Sequence, residues 1–186
     1  MSFEIVNAVK EHFPALRFIG KRYTNADRDA GGGFGEKHHE WQQNACCAQL
    51  APLGISTAVE NGLLGLMTFR ADHLDHPGEE NGFAYWIGCL FPPGTSVPDG
   101  FSSLDLPESD VGVAWIRGDD RNGEIFGNEP HTASYYALRD KGWGNLNENA
   151  GGGKTLVFFE RYNDRRFTTR DAQDKVIVDY GFYLAP

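Results

Sequence analysis

Leu156-Val157-Phe158-Phe159-Glu160-Arg161-Tyr162 reads as a strand made for an interior, with an acid near its end. Branched and aromatic residues of this density fit a central strand. Alternation then puts Leu156, Phe158, Glu160 and Tyr162 on one face. An ionised carboxylate among aromatic walls costs several kcal/mol unless it is hydrogen-bonded or paired, so this face suits a site that receives a cation or a polar ligand. The competing reading is a strand-end acid that pairs with a nearby arginine and reaches water.

Working outward, 186 residues suffice for one domain, or for two small halves that share a core. A hydrophobic content of 40% with 13% aromatics marks a globular chain. The net charge of −9 comes without any basic cluster, which argues against nucleic acid and anionic membrane and favours cationic ligands. Three cysteines, of which Cys46 and Cys47 are neighbours, form neither a disulfide framework nor a paired metal pattern. A cytoplasmic protein whose cysteines pack as small apolar groups is expected. No leader peptide is read at the start, and no run approaches the roughly 20 apolar residues of a membrane span.

In chain order, the spacing of Phe3, Ile5, Val6 and Val9 predicts a short amphipathic helix over 1–11. Leu16 to Tyr23 alternates as a strand, and Glu36 to about Leu50 has helical spacing that ends at Pro52. Strands are expected at Leu63–Phe69 and Phe83–Phe91, with 71–81 as the loop between them; the second is apolar on both faces and so buried on both. Phe101–Leu106 and Val111–Ile116 read as strand interrupted by Pro107, and 131–143 as a second helix. The stretch quoted above follows, then a last strand over 175–184.

Each half, about 13–91 and 101–186, thus runs strand, helix, strand, strand. Adjacent strands joined by short loops exclude alternating parallel winding. The fold class expected is α+β: a tandem βαββ pseudo-duplication with a mostly antiparallel sheet, two main helices on one side, and a ligand groove between the halves.

Other motifs carry less. Gly151-Gly152-Gly153-Lys154-Thr155 suggests a phosphate loop, but Glu148 stands where a glycine is needed and a strand follows instead of a helix. His38-His39-Glu40 and Asp72-His73-Leu74-Asp75-His76 lack ligand spacing and read as exposed, so no metal and no cofactor is expected. There is no G-x-S-x-G, and neither Cys46 nor Cys47 has a basic environment to activate it. Gly31–Gly33 reads as a flexible connector, as does the second triplet, Gly151–Gly153.

Taken together, Tyr85-Trp86-Ile87-Gly88, the run from Pro93 to Phe101, Val111–Gly118, the Tyr136–Trp143 helix end, Phe159–Tyr162 and Val176–Leu184 resemble the GyrI-like small-molecule-binding domains. These are also the effector-binding domains of AraC-type and MerR-type transcription regulators. The resemblance covers about 13–186. It implies a groove between two βαββ halves, with Glu160 as a buried carboxylate facing aromatic residues. By the same matching, Tyr162 and Tyr85 are ligand-binding residues, joined by Phe158 on the face of Glu160 and, as weaker matches, by Trp115 and Trp143. The chain ends Leu184-Ala185-Pro186, a departure from the family's closing strand.

With about twelve residues ahead of the domain there is no room for a helix-turn-helix module, so the resemblance is to stand-alone members without direct nucleic acid binding. Three functions fit. The first is a binding protein for a hydrophobic or cationic organic ligand, as in drug or toxin sequestration or sensing. The second is a hydrolase of strained cyclopropyl-type compounds, with Glu160 and Tyr162 catalytic and Tyr85 as an alternative donor. The third is an inhibitor that docks on a basic protein partner.

Overall fold

Phe159, in the middle of the opening stretch, pairs with Leu66 where the two halves of the sheet meet. The structure, a computed structural model, describes residues 3–60, 62–72 and 82–186. Within these residues one sheet holds β1 (Glu4–Phe13), β2 (Leu16–Tyr23), β3 (Gly62–Arg70), β4 (Ala84–Phe91), β5 (Ser102–Leu106), β6 (Ser109–Gly118), β7 (Thr155–Asn163) and β8 (Val176–Tyr183). The strand order is β1-β6-β8-β7-β3-β4-β2-β5, and every neighbouring pair is antiparallel. The helices are α1 (Gly35–Gln43), α2 (Cys46–Leu50) and α3 (Asn128–Asp140). This is the expected α+β fold with helices on one side.

The order reads the same from both ends once β1 is exchanged for β5, β2 for β6, β3 for β7 and β4 for β8. A two-fold relation therefore passes through the Leu66–Phe159 pair, at the centre of the β3–β7 ladder. One step along, Met67 takes the place in its half that Glu160 takes in the other. Their neighbours correspond as well, since Met67 pairs with Tyr85 and Glu160 with Tyr180. Duplication is thus visible in the register, where residue identity hides it.

Three expectations need correcting. The segment over 4–13 is a strand, paired with β6, and a bulge between Ile5 and Asn7 leaves Val6 without a partner. That extra residue shifts the alternation, so Phe3 and Val9 pack into different clusters while Ile5 and Val6 are exposed, and the helix-like spacing is not one apolar face. The run around Pro107 is two strands, and β5 leaves its own half to pair with β2 while β1 pairs with β6. The predicted first helix is also split, because Ala45 adopts a left-handed conformation (φ 50°) that separates α1 from α2. Of the expected loop over 71–81, residues 73–81 lie outside the described residues, including His73 and His76.

Only Pro14 and Ala15 separate β1 from β2, although these strands stand near opposite ends of the sheet. Flat, the sheet would hold them about 30 Å apart at the usual inter-strand spacing. It must therefore roll, and its helix-free face closes on a core in which Phe13, Leu16, Leu66, Trp86, Leu106, Val111 and Phe159 share one cluster. The other face is divided between a cluster under α1 and α2 and a cluster under α3.

Alternation along β7 sends Val157, Phe159 and Arg161 to the rolled face. Arg161 is fully buried there. Its Nε donates to Asp179 at 2.8 Å, and its two terminal nitrogens donate to Glu11 at 3.0 and 2.7 Å. Arg166 also donates to Asp179 and lies over the Trp115 ring at 4.2 Å. Trp115 pairs with Asp179 and shares its face, so it belongs to this ion network and not to a groove beside Glu160. Removing one partner of a buried pair leaves an uncompensated charge at a cost of about 3–5 kcal/mol. Asp179→Ala is expected to lower the unfolding free energy by that order in urea titrations. A loss of only a few tenths of a kcal/mol would show that Glu11 and Glu60, which also lies 3.6 Å from Arg161, satisfy the guanidinium without Asp179.

Candidate functional site

Between the two helical clusters lies a cavity of about 740 Å³, floored by β7, β3 and β4 and walled by α1 and α3. This size and its aromatic lining suit a drug-sized ligand. Glu160 sits on the floor, 7% exposed, and Phe158, Tyr162 and Tyr85 line the same space. The structure therefore brings together four of the six side chains singled out in the sequence. Trp115 is on the opposite face, and Trp143 borders a separate small hollow with Lys10 and Asp110.

Three phenols surround the acid. Tyr162, two residues on and on the same face, donates to Oε2 at 2.8 Å; Tyr85 donates to the same oxygen at 3.1 Å. Tyr180, the cross-strand partner of Glu160, reaches Oε1 at 3.2 Å. Tyr85 gets there by crossing β3 over Gly65, where a Cβ would lie 2.1 Å from its hydroxyl. The absence of a side chain at Gly65 is what lets the two halves share one carboxyl.

Burial raises the Glu160 carboxyl above its usual range, and the three phenol hydrogen bonds pull it back in part. Among the described residues no arginine or lysine pairs with it. The phenols are driven well above their ordinary range, first by burial and then by the acid, so they remain protonated donors.

His38 of α1 reaches Tyr85 with Nε2 at 2.9 Å. Because the Tyr85 proton is committed to Glu160, His38 must donate here, which defines its tautomer. On α3, His131 occupies the position that the two-fold relation matches to His38. It faces the cavity and packs on Phe158, Tyr180 and Phe182. The reading of His38 as exposed is thus overturned: α1 turns it inward and leaves His39 exposed at the cavity rim. Burial holds both imidazoles neutral, down to about 4, with His39 adding to the effect on His38.

The rim is mixed. Phe34 stacks on Tyr85 at 4.3 Å with the rings nearly parallel, and the exposed Arg28 lies over Phe34 at 4.8 Å. Gly32 and Gly33 line the rim, while Asp29 accepts hydrogen bonds from the Gly33 and Gly35 amides and so ties the first glycine triplet to the start of α1. The second triplet forms the turn into β7, closed by the Gly151 amide on Thr155, and does not line the cavity.

Away from the pocket, Cys46 and Cys89 are buried as expected, but Cys47 is exposed and accepts a hydrogen bond from the Trp41 indole at 3.0 Å. Its thiol is brought down to about 6, chiefly by Cys89 and then by that indole, so it is not an inert apolar group.

No protein-family model matches the chain, and no curated protein matches it. Solved structures do share its fold. A protein assigned to bacterial transcription regulation from Staphylococcus aureus MU50 superimposes with a TM-score of 0.62 and 16% identity, covering 97% of this chain and 99% of that one. SAV2435 bound to tetraphenylphosphonium gives a TM-score of 0.63 at 16% identity, covering 97% and 94%. At this identity the likeness is one of fold, and it agrees with the resemblance to effector-binding domains drawn from the sequence.

The two histidines carry a pH signature. In the unfolded chain they protonate near 6.5, and in the folded protein near 4. The unfolded state therefore binds more protons between those values. Their contribution to stability is whole above about 6.5 and is lost as pH falls toward 4. Glu160, raised by burial, acts in the opposite sense, so the readout is the comparison with a variant. His131→Phe is expected to flatten the fall in unfolding free energy across this interval, and an unchanged slope would mean that its imidazole is solvated.

Proposed function

We propose that this protein binds a small hydrophobic organic cation in the cavity over Glu160. The observation that carries the reading is a carboxyl buried on the floor of an aromatic cavity, with no basic side chain paired to it among the described residues. A cation entering there gains charge complementarity from Glu160 and ring-face attraction from Tyr162, Tyr85 and Phe158. Apolar lining away from the acid, including Met67 and Leu63, suits the hydrophobic part of such a ligand. The comparison structure with tetraphenylphosphonium makes that cation a natural first probe.

A hydrolase at the same site is the second reading, favoured by the acid's raised range and by its hydrogen-bonded link through Tyr85 to His38. Both carboxyl oxygens already face phenols, however, which supports holding charge over activating water. Sequestration, sensing and a cytoplasmic setting belong to the proposal too. Among the described residues no helix is long and apolar enough to cross a membrane.

Titration calorimetry with tetraphenylphosphonium is expected to show saturable binding. Glu160→Gln, which keeps the shape and removes the charge, is expected to weaken binding by roughly tenfold or more, the scale of a lost charge-assisted interaction. Equal affinity in parent and variant would remove Glu160 from the proposal.

A further inference from the structure

The protons around Glu160 do not balance if it is ionised. Tyr180 has one hydroxyl proton and two acceptors in reach: the Ile125 carbonyl at 2.8 Å and Glu160 Oε1 at 3.2 Å. If that proton goes to the nearer carbonyl, an ionised Oε1 faces the lone pairs of the Tyr180 oxygen across a buried contact. If it goes to Oε1, the Ile125 carbonyl loses its hydrogen bond to Tyr180. A proton on Oε1 resolves both: the acid donates to Tyr180, and Tyr180 donates to Ile125. Oε2 remains free to accept from Tyr85 and Tyr162.

No neighbouring charge opposes this state. The titratable groups that face the carboxyl are Tyr85 from β4, Tyr162 from β7 and Tyr180 from β8, with His38 of α1 and His131 of α3 on the cavity walls. The phenols stay protonated and these two imidazoles neutral, so among the described residues nothing in contact with the carboxyl supplies a compensating positive charge. Arg28, His39 and Asp164 also line the cavity, with exposed side chains toward solvent.

We propose that Glu160 carries a proton in the ligand-free protein and releases it when an organic cation binds, so that the site exchanges one proton for one cation. The inference rests on the cation-binding reading for its second half only. The O–H bond at Oε1 breaks, the proton passes to solvent buffer, and the carboxylate left behind pairs with the cation. The Tyr180 hydroxyl can then turn from Ile125 to Oε1. Cation affinity must fall as pH drops, because protons compete for the same oxygen.

Two measurements test it. Infrared difference spectroscopy of the ligand-free parent against Glu160→Gln at neutral pH is expected to show a neutral carboxylic acid carbonyl stretch in the parent only. A carboxylate band in its place would overturn the proposal whatever the ligand turns out to be. Calorimetry with tetraphenylphosphonium in two buffers of different ionisation enthalpy is expected to report about one proton released per cation bound, with affinity falling up to tenfold per pH unit on acidification. Binding with equal heats in both buffers would also overturn it, whereas no binding alongside a neutral acid band would sink the cation reading and leave the protonated acid standing.

Tyr180→Phe supplies a sign. If Tyr180 accepts from the acid, its loss lowers proton release. If it donates to a carboxylate, its loss raises proton release, and the proposed arrangement is wrong.

Discussion

The antiparallel ladder between β3 and β7 is the constraint on which the rest depends. It joins the halves through their centres, and because its axis runs through Leu66 and Phe159, it leaves Glu160 one residue off the axis. Off-axis placement gives the acid a counterpart in the other half, and only the residue found there makes it single. Its counterpart, Met67, is apolar, so the cavity has one ionisable side and one greasy side although both come from the same plan. A buried acid at both positions would set two carboxylates in one cavity, and their mutual repulsion would add to the desolvation cost.

Along one strand the protein handles two neighbouring ionisable groups in opposite ways. Arg161 points into the rolled face and meets acids on two strands and a loop, which leaves it saturated and without chemistry to offer. Glu160 points the other way and, among the described residues, hydrogen-bonds only with hydroxyls. Phenols hydrogen-bond a carboxyl without supplying a counter-charge, so the group remains able to answer something from outside. The difference is set by the period of two and by what the facing strands present.

Much of the fold was legible because it is written in local pattern. Two-faced apolarity in 83–91 and alternation in 156–162 both describe strands whose faces are filled as expected. What misled was local pattern broken by one residue: a bulge in β1 copied helical spacing, and Pro107 hid a change of sheet position. The site divided in the same way. Glu160, Tyr162, Phe158 and Tyr85 share faces that alternation can name, whereas His131 and Tyr180 depend on cross-strand register and on the rotation of a helix over the sheet. The step from His38 to His131 could have been found by aligning the two halves through their strands. Trp115, named only as a weaker match to the family, went astray because its pairing with Asp179 places it on the opposite, rolled face.

The exchange of edge strands has a further consequence. β1 borders the second half and β5 borders the first, so neither repeat contains all of its own sheet. A break in the chain between β4 and β5 would yield two fragments that each keep the other's border. Such pieces have good reason to reunite and poor prospects apart, and the cavity at their seam inherits the integrity of the whole chain.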